Sequence, residues 1–200
     1  TNNALSESEI MCLNKMHQEK IKISDFIAEG YDIGGFISLS KGYDSIKVSN
    51  STAKSCELVS SNGSTSMALI RHLENTKQLT VENVLCQNIK SNWGVIGFFS
   101  GTGINISRCF LKDSDLNYTS KYNSYPYVNS GIVAEIQWAE EINISACGVS
   151  NSSIKSSAEV GGILGRTDNG ISERTINIKN CYSINNTLTV GNKYDGDIGG

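Results

Sequence analysis

VGGILGRTDNGISERTINIKNCYSINNTLTVG, residues 160–191, holds one full unit of the pattern that repeats along this chain. It opens on a Gly-containing apolar block, VGGIL at 160–164, passes through a polar connection, and reaches the alternating segment INIKNC at 176–181. Alternation at period two is a strand signal: Ile176 and Ile178 fall on one face and Asn177 on the other. A third apolar position, Leu188, follows twelve residues after the first Ile.

The same succession recurs along the chain. Apolar blocks stand at 33–37 (IGGFI), 66–70 (SMALI), 93–97 (WGVIG), 130–134 (SGIVA), 160–164 and 198–200 (IGG). Aligned on their second positions they are spaced by 33, 27, 37, 30 and 38 residues. Alternating segments follow the first five: IKVSNS at 46–51, LTVENV at 79–84, INISRC at 104–109, INISAC at 142–147 and INIKNC at 176–181. The third apolar position is kept as Leu58, Leu116, Ile154 and Leu188, and the shortened second unit lacks it. Loose self-similarity of this kind marks stacked units, each of which buries its apolar side only against its neighbours.

Units of two or three short strands without a convincing helical stretch are best satisfied by an all-β parallel β-helix, a solenoid of about five to six irregular coils. At the ordinary strand spacing it would be roughly 25–30 Å long. Unequal unit lengths become loops. Stacking predicts columns of like residues, with Cys109, Cys147 and Cys181 at one repeat position and Ser51 and Val84 there in the two earlier units. Gly at positions 34, 94, 131, 161 and 199 either permits unusual torsions at a corner or lets neighbouring coils approach; Met67 breaks this pattern.

With those residues in view, 160–191 resembles the GLUG-type repeat of surface proteins, in which a GG-apolar-apolar-G block precedes a strand ending in Asn-Cys or Asn-Ser and a short second strand. It is similar in kind to the β-helical passenger domains of the chlamydial polymorphic membrane proteins. The resemblance covers about residues 32–200, closest in the fifth unit and degraded in the second. It implies a right-handed β-helix in an exported or surface-attached protein, often an adhesin, and carries over no catalytic residue. Repeat motifs report architecture more securely than function.

Composition sets outer bounds. The 200 residues contain 17 Lys and Arg against 20 Asp and Glu, a formal charge of −3, which supports no polybasic face for nucleic acid. No apolar run reaches membrane-span length, and TNNALSESEI lacks the basic and apolar regions of a signal peptide. Membrane insertion by this segment is therefore not expected. The six Cys, at 12, 56, 86, 109, 147 and 181, form no CxxC pair, and His17 and His72 lie far apart, so no metal or cofactor is expected. Buried thiols are the first reading of the Cys and disulfides the second.

Residues 1–31 read as a divergent N-terminal coil or a cap. IKISDF at 21–26 matches the alternating segment and EIMCLNKM at 9–16 stands where the block should be; the alternative is a short capping helix opened by Ser6 and Glu9. Residues 32–200 hold the coils, and the array is expected to continue past residue 200.

Candidate chemistry is sparse. A carbohydrate-active β-helix enzyme, a polysaccharide lyase or hydrolase, needs two carboxylates a few ångströms apart. Asp113 and Asp115 offer that pair, placed on one strand face by their spacing, against the plainer reading of a solvated strand edge. GxSxG, HExxH, P-loop and dinucleotide patterns do not occur, and YDGD at 194–197 is a single acidic turn rather than a calcium array. Asn50, Asn62, Asn105, Asn117, Asn143, Asn151 and Asn185 head N-x-Ser/Thr triplets, seven where composition alone gives about four. In a eukaryotic secretory pathway these are glycosylation acceptors; in a bacterium, plain outward Asn.

One loop stands apart. NYTSKYNSYPYVNS, residues 117–130, holds Tyr118, Tyr122, Tyr125 and Tyr127 with the sole Pro, a composition of rigid rings and adaptable polar groups suited to binding. The plainer alternative packs those rings over the flank. Trp93 and Trp138 could support the loop or stack a sugar, although burial is the simpler expectation for both. The expected function is a non-catalytic structural or adhesive segment of an extracellular, cell-surface or filament-forming protein. Its partners would be neighbouring coils or subunits of the same kind, or a host protein or glycan.

Overall fold

The computed structural model describes residues 21–24, 27–30, 33–60, 66–67, 69–117, 128–168, 173–191 and 198–199. Among them the chain is all β, without a helix, and its strands pair in parallel. Three principal sheets are visited in the same order, round after round. The first runs Ile21–Ser24, Ser45–Lys54, Gln78–Gln87, Gly103–Lys112, Glu141–Ser145, Thr175–Lys179, with Gly148–Ser150 and Tyr182–Ile184 continuing it past a bend. The second runs Ile27–Gly30, Glu57–Ser60, Lys90–Ser91, Asp115–Asn117, Ser153–Ser156, Thr187–Val190. The third runs Ile37–Lys41, Ile70–Glu74, Ile96–Ser100, Val133–Gln137, Leu164–Thr167. Short bridges, Ile33–Gly34 on Ser66–Met67, and Asn129–Ser130 on Val160–Gly161 on Ile198–Gly199, join the second sheet to the third.

Side-chain period two explains why this register is unique, since a slip of one residue would turn every aliphatic outward. Ile46, Leu79, Ile104, Ile142 and Ile176 stack in one row, and Val48, Val81, Ile106, Ile144 and Ile178 in the next. Leu116, Ile154 and Leu188 stack on the second sheet. The shortened unit does supply a strand there: Ser91 pairs with Leu116 and, buried, donates its hydroxyl to the Trp93 carbonyl at 2.6 Å. The third sheet adds Ile70, Ile96 and Val133, with Leu73, Phe99 and Ile136 beyond them, all fully buried.

The Cys column forms as the repeat alignment expected. Cys109 lies opposite Val84, which lies opposite Ser51, and the flanking register of Phe110, Gly148 and Tyr182 brings Cys147 and Cys181 into the same row. Cys56, Cys86, Cys109, Cys147 and Cys181 are thiols rather than disulfides; Cys12 lies outside the described residues. Each column thiol donates to the carbonyl two residues back, at 3.5 Å for Cys109, 3.3 Å for Cys147 and 3.4 Å for Cys181. The side-chain hydrogen bond with Cys109, together with burial, pushes the Cys147 thiol well up, and the side-chain hydrogen bond with Cys147, together with burial, does the same to Cys181.

Bends between strands use left-handed backbone at recurring positions. Asn50, Asn83, Arg108, Ala146 and Asn180 have φ of 51–55°, as do, five residues on, Ser55, Asn88, Asp113, Asn151 and Asn185 at 50–55°. Asn tolerates this region better than most side chains, which gives a backbone reason for its abundance.

Two alignments differ from the sequence expectation. Gly161 pairs with Ser130 rather than with Gly131, whose amide instead donates to the Gly162 carbonyl at 3.1 Å. The block glycines therefore do not share one position. Gly94 is required by close approach: a Cβ there would lie 2.2 Å from the Ser130 carbonyl oxygen. The second difference is at the start, where Ile21 pairs with Ser51 instead of Ile46, because Ile21–Ser24 joins the later half of the long strand.

Candidate interaction surface

The outer face of the third sheet collects side chains that no single sequence segment announced. Register sets Leu39, His72, Phe98, Glu135 and Arg166 in one outward row. The rings of His72 and Phe98 stack with centroids 4.3 Å apart, and Arg166 meets the Glu135 carboxylate at 2.7 Å. Leu39 is exposed. Lys41 pairs with Glu74 at 2.7 Å and His72 Nε2 lies 3.1 Å from the same carboxylate; Lys41 first, then His72, hold the Glu74 carboxyl below its ordinary range. Burial opposes the charge of Arg166, but Glu135, with Glu159 and Asp168, more than offsets this and holds the guanidinium above its ordinary value. The row is legible in sequence only after the aliphatic blocks are stacked, when the residue two places past the aliphatic anchor becomes a column.

Trp138 stands where this sheet ends, immediately after Gln137. It is 55% exposed, against 8% for Trp93, so the expectation of burial holds for Trp93 and fails for Trp138. At this bend its backbone is left-handed, φ 62°, as it is at Gly42 (φ 77°) and Asn75 (φ 50°) two and more rounds earlier, whereas Gly101, opposite Trp138 in the adjacent round, does not take this conformation. A clamp fixes that bend. The Trp138 amide donates to Asp168 Oδ1 at 3.3 Å, Arg174 Nη2 meets the same oxygen at 2.8 Å, and Arg174 Nε donates to the Ala139 carbonyl at 2.8 Å.

Tyr118, Tyr122, Tyr125 and Tyr127 lie outside the described residues. The root of their loop is described, and it is firmly tied. Leu116 and Val128 are buried, and the Asn129 amide, 1% exposed, donates to the carbonyls of Asn92 at 2.8 Å, Lys155 at 2.9 Å and Leu116 at 3.3 Å. One side chain thus ties three strands together where the insertion leaves the sheets.

Asp113 and Asp115 do not share a strand face. Asp113 occupies a left-handed bend after Gly103–Lys112, and Asp115 begins the next strand on the second sheet. Asp113 accepts from Gln87 Nε2 at 3.1 Å and from Asn151 Nδ2 at 3.2 Å, bonds that join three rounds at the corner. The spacing argument for a carboxylate pair assumed a continuous strand, which the bend interrupts.

The sequon residues fall into two groups. Asn50, Asn151 and Asn185 take left-handed bends. Asn105 and Asn143 join Asn177 in an amide ladder, Asn143 Nδ2 donating to Asn105 Oδ1 at 2.9 Å and Asn177 Nδ2 to Asn143 Oδ1 at 3.0 Å. Asn117 closes a strand of the second sheet, and Asn62 lies outside the described residues, as do His17 and the YDGD turn. Among the described residues no three His, Cys, Asp or Glu side chains converge as a metal site, and no helix is long and apolar enough to cross a membrane. Compared with known protein families, curated proteins and solved structures, the chain matches none.

Proposed function

We propose that the chain is a right-handed parallel β-helix of five to six irregular coils, of the GLUG-type surface-repeat kind. It serves as a structural or adhesive, non-catalytic segment of an extracellular or cell-surface protein, alone or within a filament. The observation that carries this reading is the repeated visit to three parallel sheets with side-chain rows in register, a geometry in which each round is buried only by its neighbours. Handedness follows from the strong preference of parallel strand-to-strand crossovers for the right-handed sense. Such a stack spends its aliphatic residues on the interior and leaves outer faces free to vary, which suits an extended contact surface. The tied root at Asn129 supports an adhesive role for the Tyr-rich loop, because it presents a long insertion from a rigid base. Partners on this reading are like subunits, or a host protein or glycan.

The test uses the full protein in its source cells. Antibody against the chain should stain intact cells, and the Tyr125→Ala, Tyr127→Ala double variant, displayed at normal level, should lose most cell adhesion. Staining confined to permeabilised cells would end the surface assignment, and undiminished adhesion would end the role of the loop.

A further inference from the structure

We propose that Cys147 and Cys181 are an oxidisable thiol pair, which a small-molecule disulfide of the glutathione type converts into a bond stapling the last described round of the first sheet to the round before it. The inference concerns the interior of the stack and stands independently of the surface assignment. Register carries it. The pairs Ser145 with Lys179 and Gly148 with Tyr182 bracket the two cysteines. The Ala146 amide donates to the Lys179 carbonyl and the Tyr182 amide to the Cys147 carbonyl, both at 3.0 Å, which sets Cys147 directly opposite Cys181. Both side chains face the aliphatic interior. Paired strands lie about 4.8 Å apart, inside the range of about 4.4–6.8 Å that Cα atoms span across a disulfide. The Cys181 Sγ also leans onto its neighbour's strand. It lies 3.8 Å from the Ile144 carbonyl there, and the two thiols share a side-chain hydrogen bond.

Access selects this pair from the column. Cys86, Cys109 and Cys147 are 0% exposed and Cys56 3%, whereas Cys181 is only half-buried. Among the described residues, Thr175–Lys179 pairs with Glu141–Ser145 and with no second strand, so it can shift toward its neighbour as a sulfur–sulfur bond requires. The exchange balances in two steps. Deprotonated Cys181 attacks one sulfur of oxidised glutathione, forming a mixed disulfide and expelling a glutathione thiolate, which takes up the proton. Cys147 then attacks the Cys181 sulfur of that adduct, and its proton leaves with the second glutathione. Two protein thiols are oxidised and one small disulfide is reduced to two thiols. The reagent needs to reach Cys181 alone, because Cys147 acts from inside. The hydrogen bond with Cys147, together with burial, holds the Cys181 thiol protonated, so the first step is slow at neutral pH and faster in mild alkali. The product, unlike a thiolate, carries no charge into the apolar interior.

The purified full chain tests the proposal. Folded protein is held with oxidised glutathione at about pH 9, the remaining thiols are alkylated after unfolding in acid, and peptides are mapped without reduction. The expected product links Cys147 to Cys181 and leaves Cys56, Cys86 and Cys109 alkylated. Cys109→Ala should still form this link, and Cys147→Ala should stop at a glutathione adduct on Cys181. On oxidation, hydrogen exchange at Thr175–Lys179 should slow by about tenfold or more while that at Gly103–Lys112 stays unchanged. Mapping and exchange of the unaltered chain decide the matter even where a variant does not fold. A glutathione adduct that persists on Cys181, a link to any other cysteine, no reaction before the chain unfolds, or unchanged exchange at Thr175–Lys179 would each overturn the pair. None of these outcomes bears on antibody staining of intact cells or on adhesion through Tyr125 and Tyr127.

Discussion

Cys86 sits between Ala53 and Leu111 in adjacent rounds, fully buried. In that position the thiol acts as a small hydrophobe, and burial pushes its pKa from the ordinary 9.0 to about 12. The consequence for stability has a definite sign. The neutral thiol is favoured in the folded state, so its contribution is complete below pH 9.0 and is lost as the pH climbs toward and through about 12, where the unfolded chain can ionise and the folded one resists. Cys86→Ala should therefore flatten part of the alkaline limb of a stability-against-pH curve measured by urea denaturation. An alkaline limb identical in both proteins would mean that Cys86 is not the group responsible. The same burial should keep Cys86, Cys109 and Cys147 unlabelled by alkylating reagents until the chain unfolds.

Strand rows raise the question of how neighbouring rounds are kept in step, and the amide ladder on the first sheet supplies one answer. Asn143 donates to Asn105 and to Glu141 and accepts from Asn177, so it links three strands through a side chain as well as the backbone. Asn143→Asp removes both donations and places a carboxylate against the Asn105 oxygen and Glu141. We expect a loss of about 1–3 kcal/mol at neutral pH, partly recovered when the new carboxyl is protonated in mild acid. Urea titrations at pH 7 and in mild acid would check both the size and the recovery. The INIS and INIK segments announced this ladder in sequence, since equal spacing of Ile-Asn-Ile sets Asn beside Asn. The position of Gly131 was not announced, because block-to-strand connections differ by one residue between rounds and only the backbone pairing reveals the offset.

Across the whole molecule, burial fades along the stack. Ile142 and Ile144 are fully buried, whereas Ile176 and Ile178, their partners in the last described round of the first sheet, are 46% exposed. Identical side chains at paired positions of neighbouring strands thus differ in what they contribute. In this 200-residue chain Ile144→Ala should cost about 2–5 kcal/mol in chemical denaturation and Ile178→Ala markedly less, since truncating a half-exposed side chain leaves no enclosed cavity. Equal costs would show that something covers Ile178 in solution. Hydrogen exchange should rank the rounds in the same order, slowest at Gly103–Lys112 and faster at Thr175–Lys179.

The sequence assigned the Ile rows of the first sheet, the third apolar position and the Cys column to the interior, but not Leu73, Phe99 or Ile136, which the third sheet also buries. Period-two alternation assigns each aliphatic a side, and repetition of INIS-type segments fixes which of them meet, so the Ile and Cys columns could be written down before any coordinate. Beyond the Asn row, the outer surface was settled only on folding. Residues facing solvent are not constrained by packing to resemble one another from round to round. The row from Leu39 to Arg166, the separation of Asp113 from Asp115 by a bend, and the exposure of Trp138 therefore emerge from register and backbone torsion at positions whose side chains differ from round to round.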